Sequence, residues 1–207
     1  MKTKTIVFDI DGTILDTFAQ NIYPLIDIVK EELNKDMTYD DLVHYCALPG
    51  HDVLRDLGIH LDHYPRWVEY VNAYPHDPEI FTGFDTVIKT LHESKFPMGI
   101  VSSKRRAQYN IDFGKNGLDA YFEHTVLADD TEHHKPHPEP LLKCLAMLDA
   151  DPKDSIYIGD SLFDYQCAKA AGAKFGLATW GNLSREGMDD IDYILETPLD
   201  ILDILKL

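Results

Sequence analysis

The stretch Ile6-Val-Phe-Asp-Ile-Asp-Gly-Thr-Ile-Leu-Asp16 decides the reading of this chain. An apolar run ends in two carboxylates separated by one residue, and Gly12 follows them. In a strand, residues i and i+2 point to the same side, so Asp9 and Asp11 are expected to address one site where the strand ends and Gly12 lets the chain turn. Two like charges held close raise each other's proton affinity. Such a pair suits a divalent cation, or one ionised and one protonated carboxyl working together. A surface Asp-x-Asp-Gly turn has the same spelling, so the stretch needs support from elsewhere in the chain.

Three further segments supply it, each following an apolar, strand-like run. Pro97-Met-Gly-Ile-Val-Ser-Ser103 ends in hydroxyls with Lys104 next. Lys135-Pro136 follows Thr125-Val-Leu-Ala128 after a short polar stretch. Ser155-Ile-Tyr-Ile-Gly-Asp-Ser-Leu-Phe-Asp164 ends in Asp160, with Asp164 four residues on. In an open parallel sheet the strand C-termini line one edge, and ligands bind in the crevice there. Four separate segments would therefore bring carboxylates, a hydroxyl and an ammonium to one place.

These residues, in this order, resemble the four motifs of the haloacid-dehalogenase-like phosphohydrolase superfamily. Asp9-Ile-Asp-Gly-Thr13 matches the first motif, Ser102 the second, Lys135 the third and Gly159-Asp-Ser-Leu-Phe-Asp164 the fourth, and the likeness continues to Thr179-Trp-Gly181. Ser102-Ser103-Lys104 departs from the Thr-Asn-Lys of many relatives at position 103 and keeps the hydroxyl at 102. The resemblance implies that Asp9 is a nucleophile forming an aspartyl-phosphate. It implies that Asp11 protonates the leaving oxygen and then activates water. Lys135 would pair with Asp9 and the phosphate, and Ser102, with Ser103 beside it, would bind phosphate oxygens. A bare carboxylate meeting a phosphate dianion at ~4 Å and an effective dielectric of ~20 is repelled by several kcal/mol, so a cation must bridge them. Mg²⁺ favours oxygen ligands and keeps waters that a phosphate can replace. By the resemblance its ligands are Asp9, the backbone carbonyl of Asp11 and Asp160, with Asp164 supporting them directly or through water.

From Gly83 onward, helical and strand-like runs alternate. Helices are expected at 84–92, 106–115, 139–148 and 163–171, and strands at 98–102, 124–128, 155–159 and 174–178. Such alternation gives βαβ units and a doubly wound, Rossmann-like parallel sheet of the α/β class. An edge strand is expected at 192–195, with Thr197 as N-cap and Pro198 as first residue of a closing helix to 205. About 65 residues after the first strand look different. Ile22, Leu25, Ile26, Val29 and Leu33 fall at helical spacing, with Pro24 predicting a kink or a late start. Further helices are expected at 39–45, 53–57 and 64–74, broken by Pro49-Gly50 and Gly58. Trp67, Tyr70 and Tyr74 sit at helical spacing and read as core. The expected organisation is a core of residues 1–15 and 83–207 with an all-helical cap at 16–82. A helical insertion at this point resembles the superfamily subclass containing phosphoglycolate phosphatases, β-phosphoglucomutase and two-carbon dehalogenases.

The 207 residues carry a formal net charge of −17, which argues against nucleic acid as a partner. No apolar run approaches the roughly 18 residues of a membrane span, and no secretory signal pattern precedes the first strand, so a cytoplasmic protein without a membrane partner is expected, as monomer or dimer. Cys46, Cys144 and Cys167 are odd in number and scattered, and read as thiols.

Within the family, Asp11 separates competing chemistries. Dehalogenase relatives lack an aspartate there, because halide departs without a proton. β-Phosphoglucomutase-like relatives carry a histidine where this chain has Asn21. Phosphonatase relatives use a cap lysine, whereas Lys30 and Lys35 lie on a polar helical face. The resemblance therefore favours a Mg²⁺-dependent phosphatase of a small phosphorylated metabolite, phosphoglycolate-phosphatase-like, over a sugar phosphomutase. A phospho-acceptor signalling domain also gathers acids, a hydroxyl and a lysine, but the DxDGT pattern and the long insertion argue against it. In the cap loop Leu48-Pro-Gly-His-Asp52, His51 and nearby Arg55 are candidates for reading the substrate, with a surface ion pair the competing role for Arg55. His133, His134 and His137 flank Lys135 and lack the fourth ligand a zinc site needs.

Overall fold

A computed structural model describes residues 4–48 and 50–207. The elements run β1 (Thr5–Phe8), β2 (Leu15–Asp16), α1 (Phe18–Leu33), α2 (Tyr39–Leu42), α3 (Gly50–Leu57), α4 (Tyr64–Asn72), β3 (Glu79–Ile80), α5 (Phe84–Glu93) and β4 (Met98–Val101). They continue as α6 (Arg106–Asp112), β5 (His124–Val126), α7 (Glu139–Met147), β6 (Ser155–Gly159), α8 (Leu162–Ala171), β7 (Lys174–Ala178), β8 (Tyr193–Leu195) and α9 (Asp200–Leu205). The chain divides into two compact units, residues 1–16 with 80–207, and residues 17–79.

Among the described residues, the larger unit holds a six-stranded sheet in the order β5-β4-β1-β6-β7-β8, every pairing parallel. The fold is the expected Rossmann-like α/β arrangement. In β1, Ile6 and Phe8 pack into one core while Val7 packs into the other, and all three are fully buried. A strand buried on both faces needs apolar residues at every position, which is why β1 reads as a continuous run. The chain leaves β1 for β4 and β5 on one side and returns to β6 on the other. The order therefore reverses beside β1, and the crevice at such a switch point is where ligands bind.

Local signals set the ends of the helices that carry the site. Ser161 accepts from the backbone of Asp164 and Asp164 answers with its carboxylate, a capping box that starts α8; Gly172, with φ of 77°, ends it. Pro140 in the first turn of α7 occupies a position where a missing N–H costs nothing.

The smaller unit is helical around its own core of Ile22, Leu25, Ile28, Val29, Leu42, Tyr45, Val53, Leu54, Ile59 and Trp67. Pro24 neither delays nor ends α1, which starts at Phe18 and runs through it; burial of the flanking apolar face outweighs the local penalty. The helix expected at 39–45 is α-helical only to Leu42 and then tightens into a 3₁₀ segment, Val43–Ala47. Gly50 opens α3 instead of breaking a helix, and Pro49 lies outside the described residues.

Two expectations in the larger unit need correction. Thr197 does not cap the closing helix. The Asp200 carboxylate accepts from the backbone N–H groups of Glu196 and Thr197, so Pro198 belongs to a turn held from inside α9. The helix expected to reach 115 ends at Asp112, whose side chain is buried, and the chain then unwinds through Gly114 and Gly117, the latter at φ 75°.

Candidate active site

Asp9 is the first residue past β1, and its N–H still donates to Ile158 O (2.9 Å), so the sheet fixes its backbone. Asp11 lies beyond the strand, in a turn where Thr13, Ile14 and Leu15 all donate to Ile10 O. Strand alternation therefore does not aim it; the turn does. Gly12 sits there at φ 71°, and a Cβ on it would lie 2.4 Å from Asp160 Oδ2. Glycine is required both for the backbone conformation and for Asp160 to approach.

Asp160 follows β6 and receives a hydrogen bond from Thr13 Oγ1 (3.3 Å). Carboxylate oxygens of Asp9, Asp160 and Asp164 lie within 4.8 Å of one another. Burial, followed by repulsion from Asp164 and Asp11, pushes Asp9 up to about 7 against the pull of Lys135. Burial and the charges of Asp164 and Asp9 push Asp160 well above the usual carboxylate range. Such crowding is costly until a cation relieves it. Asp9 Oδ1 is also buried without an aligned hydrogen-bond partner. The donor set, all oxygen and short of positive charge, fits a hard divalent cation.

Lys135 reaches the cluster from the loop before α7. Its ammonium lies 3.0 Å from Asp9 Oδ1 and 2.6 Å from Asp164 Oδ1, with a side chain only 6% exposed. Burial alone would favour the neutral amine, but the carboxylates of Asp164 and Asp9 outweigh it and hold the ammonium well above its usual range. The neighbouring histidines shape this loop. Glu139 accepts from the N–H groups of Glu132 and His133 (both 3.0 Å) and approaches His133 Nδ1 at 2.8 Å. Glu139 N in turn donates to His137 Nδ1 (3.2 Å), and the His133 and His137 rings stack at 4.5 Å. These three groups could gather around a metal, yet each is already spent on closing the loop that presents Lys135. His134 instead lines a small cleft with Ser102, Ser103, Thr131 and Lys135.

Asp164 has little capacity left for other ligands. Lys135 and the Tyr157 hydroxyl (3.0 Å) approach Oδ1, and Ser161 N (3.1 Å) and Oγ (2.5 Å) donate to Oδ2. Ser102, at the end of β4, is 4% exposed, and its Oγ accepts from Lys104 N (3.2 Å). Ser103 is exposed.

Other predicted groups belong to the smaller unit. His51 stacks on Tyr64 with ring centres 4.1 Å apart, and Arg55 forms an exposed ion pair with Asp52. Asn21 donates to Thr17 O (2.9 Å), a bond within its own helix.

The structure gives partners to several groups that the sequence left without a role. Lys104 Nζ lies 2.8 Å from Asp11 Oδ1 and 2.6 Å from Asp112 Oδ2. Trp180 Nε1 donates to Thr13 O (2.9 Å) and Asn182 Nδ2 to Asp160 O (2.6 Å). A Cβ on Gly181 would lie 1.8 Å from Gly12 O, so the loop after β7 presses directly on the Asp11 turn. The sequence held one cue for the first of these, a lysine directly after the strand-end hydroxyls. For Asp112 it held none.

Comparison with known proteins agrees with this geometry. The family model for haloacid dehalogenase-like hydrolases matches residues 6–178. A pyrophosphatase PpaX of Anoxybacillus flavithermus is 33% identical over 213 residues, covering 99% of this chain and 98% of the relative. The crystal structure of a candidate phosphoglycolate phosphatase from Lactobacillus plantarum superposes with a TM-score of 0.88 at 26% identity, covering 99% of this chain and all of the other. CbbY of Rhodobacter sphaeroides, solved with xylulose-1,5-bisphosphate, shares the fold at TM-score 0.76 and 19% identity, covering 99% of this chain and 100% of the other. With its sheet order, its acidic cluster at the switch point and a match over most of its length, the chain belongs to the haloacid dehalogenase-like hydrolase family.

Proposed function

We propose that this hydrolase is a Mg²⁺-dependent phosphatase of small phosphorylated substrates that works through a phosphoaspartate on Asp9. The carrying observation is the placement of Asp9 Oδ1, buried, 3.0 Å from Lys135 Nζ and beside Asp160. Asp9 attacks phosphorus while Lys135 offsets charge on the carboxylate and the transferring group, and Ser102 Oγ hydrogen-bonds a phosphate oxygen. Asp11, 35% exposed at its side chain, donates a proton to the leaving oxygen. It then takes one from the water that attacks the phosphoaspartate. Asp9, the Asp11 carbonyl and Asp160 would hold the Mg²⁺, with Asp164 acting through Lys135 or a water. When bound, the ion screens the repulsion between the nucleophile and the phosphate dianion.

Inorganic pyrophosphate is the first substrate to test, supported by full-length relatives named as pyrophosphatases at 29–33% identity; phosphoglycolate is the second, supported by the Lactobacillus plantarum likeness. His51 and Arg55 are the residues assigned to substrate choice, tested by the KM of Arg55→Ala. Phosphate release from both compounds and from p-nitrophenyl phosphate, with Mg²⁺ and with EDTA, tests the reading. Absence of metal-dependent release across the panel would overturn it.

A further inference from the structure

Asp11 stands in the turn that follows β1. What steadies it is Lys104. The lysine is held at several points. Its N–H donates to Ser102 Oγ (3.2 Å), its carbonyl accepts from Ala128 N (2.9 Å), and its ammonium bridges Asp11 Oδ1 (2.8 Å) and Asp112 Oδ2 (2.6 Å). Asp112 is in turn gripped by Gln108 Nε2, at 3.3 and 3.1 Å from its two oxygens. Exposure falls along the chain of contacts, from 35% at the Asp11 side chain to 8% at Lys104 and 1% at Asp112. The outer end meets solvent and the inner end is locked in the fold. Asp11 Oδ1 is buried against the ammonium with no aligned hydrogen bond, so what holds it there is the attraction of opposite charges. Asp112 shares the lysine's charge, so the ammonium stands fixed between two carboxylates.

We propose that Lys104, anchored by Asp112, is a positioning residue that fixes the Asp11 carboxyl for proton delivery to the leaving group. The inference rests on the reading of Asp11 as the general acid. Correct placement of such an acid contributes about 10²–10⁴-fold, and only where the leaving oxygen needs the proton.

The test measures kcat/KM, which ends at phosphoryl transfer to Asp9, for substituted phenyl phosphates of rising leaving-group pKa and for an alkyl phosphate. Lys104→Met is paired with Asp112→Asn, so that no buried carboxylate is left unpaired; Lys104→Arg and Asp11→Asn complete the set. Asp11→Asn should steepen the dependence on leaving-group pKa. Lys104→Met/Asp112→Asn should steepen it in the same sense, with a loss of about tenfold or more on the alkyl phosphate and under about threefold on p-nitrophenyl phosphate. Lys104→Arg should restore most of the loss. A steep slope for Asp11→Asn with a wild-type slope for the double variant overturns the role of Lys104. A wild-type slope for Asp11→Asn overturns the general-acid reading itself. An equal loss on every substrate, with a lowered melting temperature and no rescue by arginine, would make the pair a structural one and sink the inference.

Discussion

Two lysines serve the site in the same way and to different ends. Lys135 grips Asp9 and Asp164 at 3.0 and 2.6 Å; Lys104 grips Asp11 and Asp112 at 2.8 and 2.6 Å. Each ammonium is almost wholly buried, and each joins one carboxylate of the DxD pair to a second that the fold has locked. The difference lies in the outer carboxylate. Asp9 is 8% exposed at its side chain and Asp11 35%. In the proposed mechanism the group that bonds to phosphorus gains from exclusion of water, whereas the group that gives and takes protons needs access to the leaving oxygen and to water. One design of ion pair thus serves a closed position and an open one.

The comparison can be broken most directly at Asp9. Asp9→Asn should remove turnover by about 10⁴-fold or more, as expected for loss of a covalent nucleophile, while the protein still folds and binds phosphate; residual phosphate release near the wild-type rate would dismantle the assignment. Lys135→Met comes next. It should cost about 10²–10³ in kcat/KM on all substrates alike, in contrast to the leaving-group selectivity expected at Lys104. It should also lower unfolding free energy by about 3–5 kcal/mol, because two buried carboxylates lose their partner. Urea titration and a substrate series check both effects.

A smaller effect sharpens the electrostatic side of the comparison. With Asp9 pushed up to about 7 in the fold and near 3.9 when unfolded, the native state holds the extra proton between those values. Stability of the EDTA-treated protein relative to Asp9→Asn should therefore fall as pH rises from about 4 to 7. Added Mg²⁺, which prefers the ionised cluster, should offset that loss and raise the melting temperature more at pH 8 than at pH 5. Melting curves of both proteins at the two pH values measure it; a wild-type protein that gains stability over this window relative to the variant contradicts the crowding. Least of all, Tyr157→Phe should cost roughly 1 kcal/mol, since its hydroxyl approaches Val101 O (2.9 Å), Asp164 Oδ1 (3.0 Å) and Lys135 Nζ (3.3 Å).

The contrast between the two lysines also shows how far the sequence could be read. Asp9, Asp160 and Ser102 stand directly after buried apolar strands, and Lys135 follows one by a short polar loop, so hydrophobic patterning alone puts them toward one edge of a parallel sheet. Asp112 ends a seven-residue helix whose periodicity announces nothing. It becomes a partner of Lys104, eight residues before it, only through the way the chain turns from β4 into α6, which no periodicity announces. The same limit applies to Trp180 and Asn182, whose partners Thr13 and Asp160 are 167 and 22 residues away in the chain. Helix interiors were legible from spacing, and the ends of α8 from its local capping residues; the start of α9 was not, because Asp200 reaches back from inside the helix to Glu196 and Thr197. Pro24 failed as a punctuation mark because the apolar face of α1 stays buried across it.

The short pairing of β2 with β3 carries a consequence for the family's variety. It joins the two points where the chain departs for the helical unit and comes back, and Phe81 N donates to Ile14 O (3.0 Å) beside it. With the two ends already clasped, the entropy of closing the excursion grows only as the logarithm of its length. A change in the length of what hangs from this clasp is therefore expected to cost little and to leave the strands that carry Asp9 and Asp160 in register.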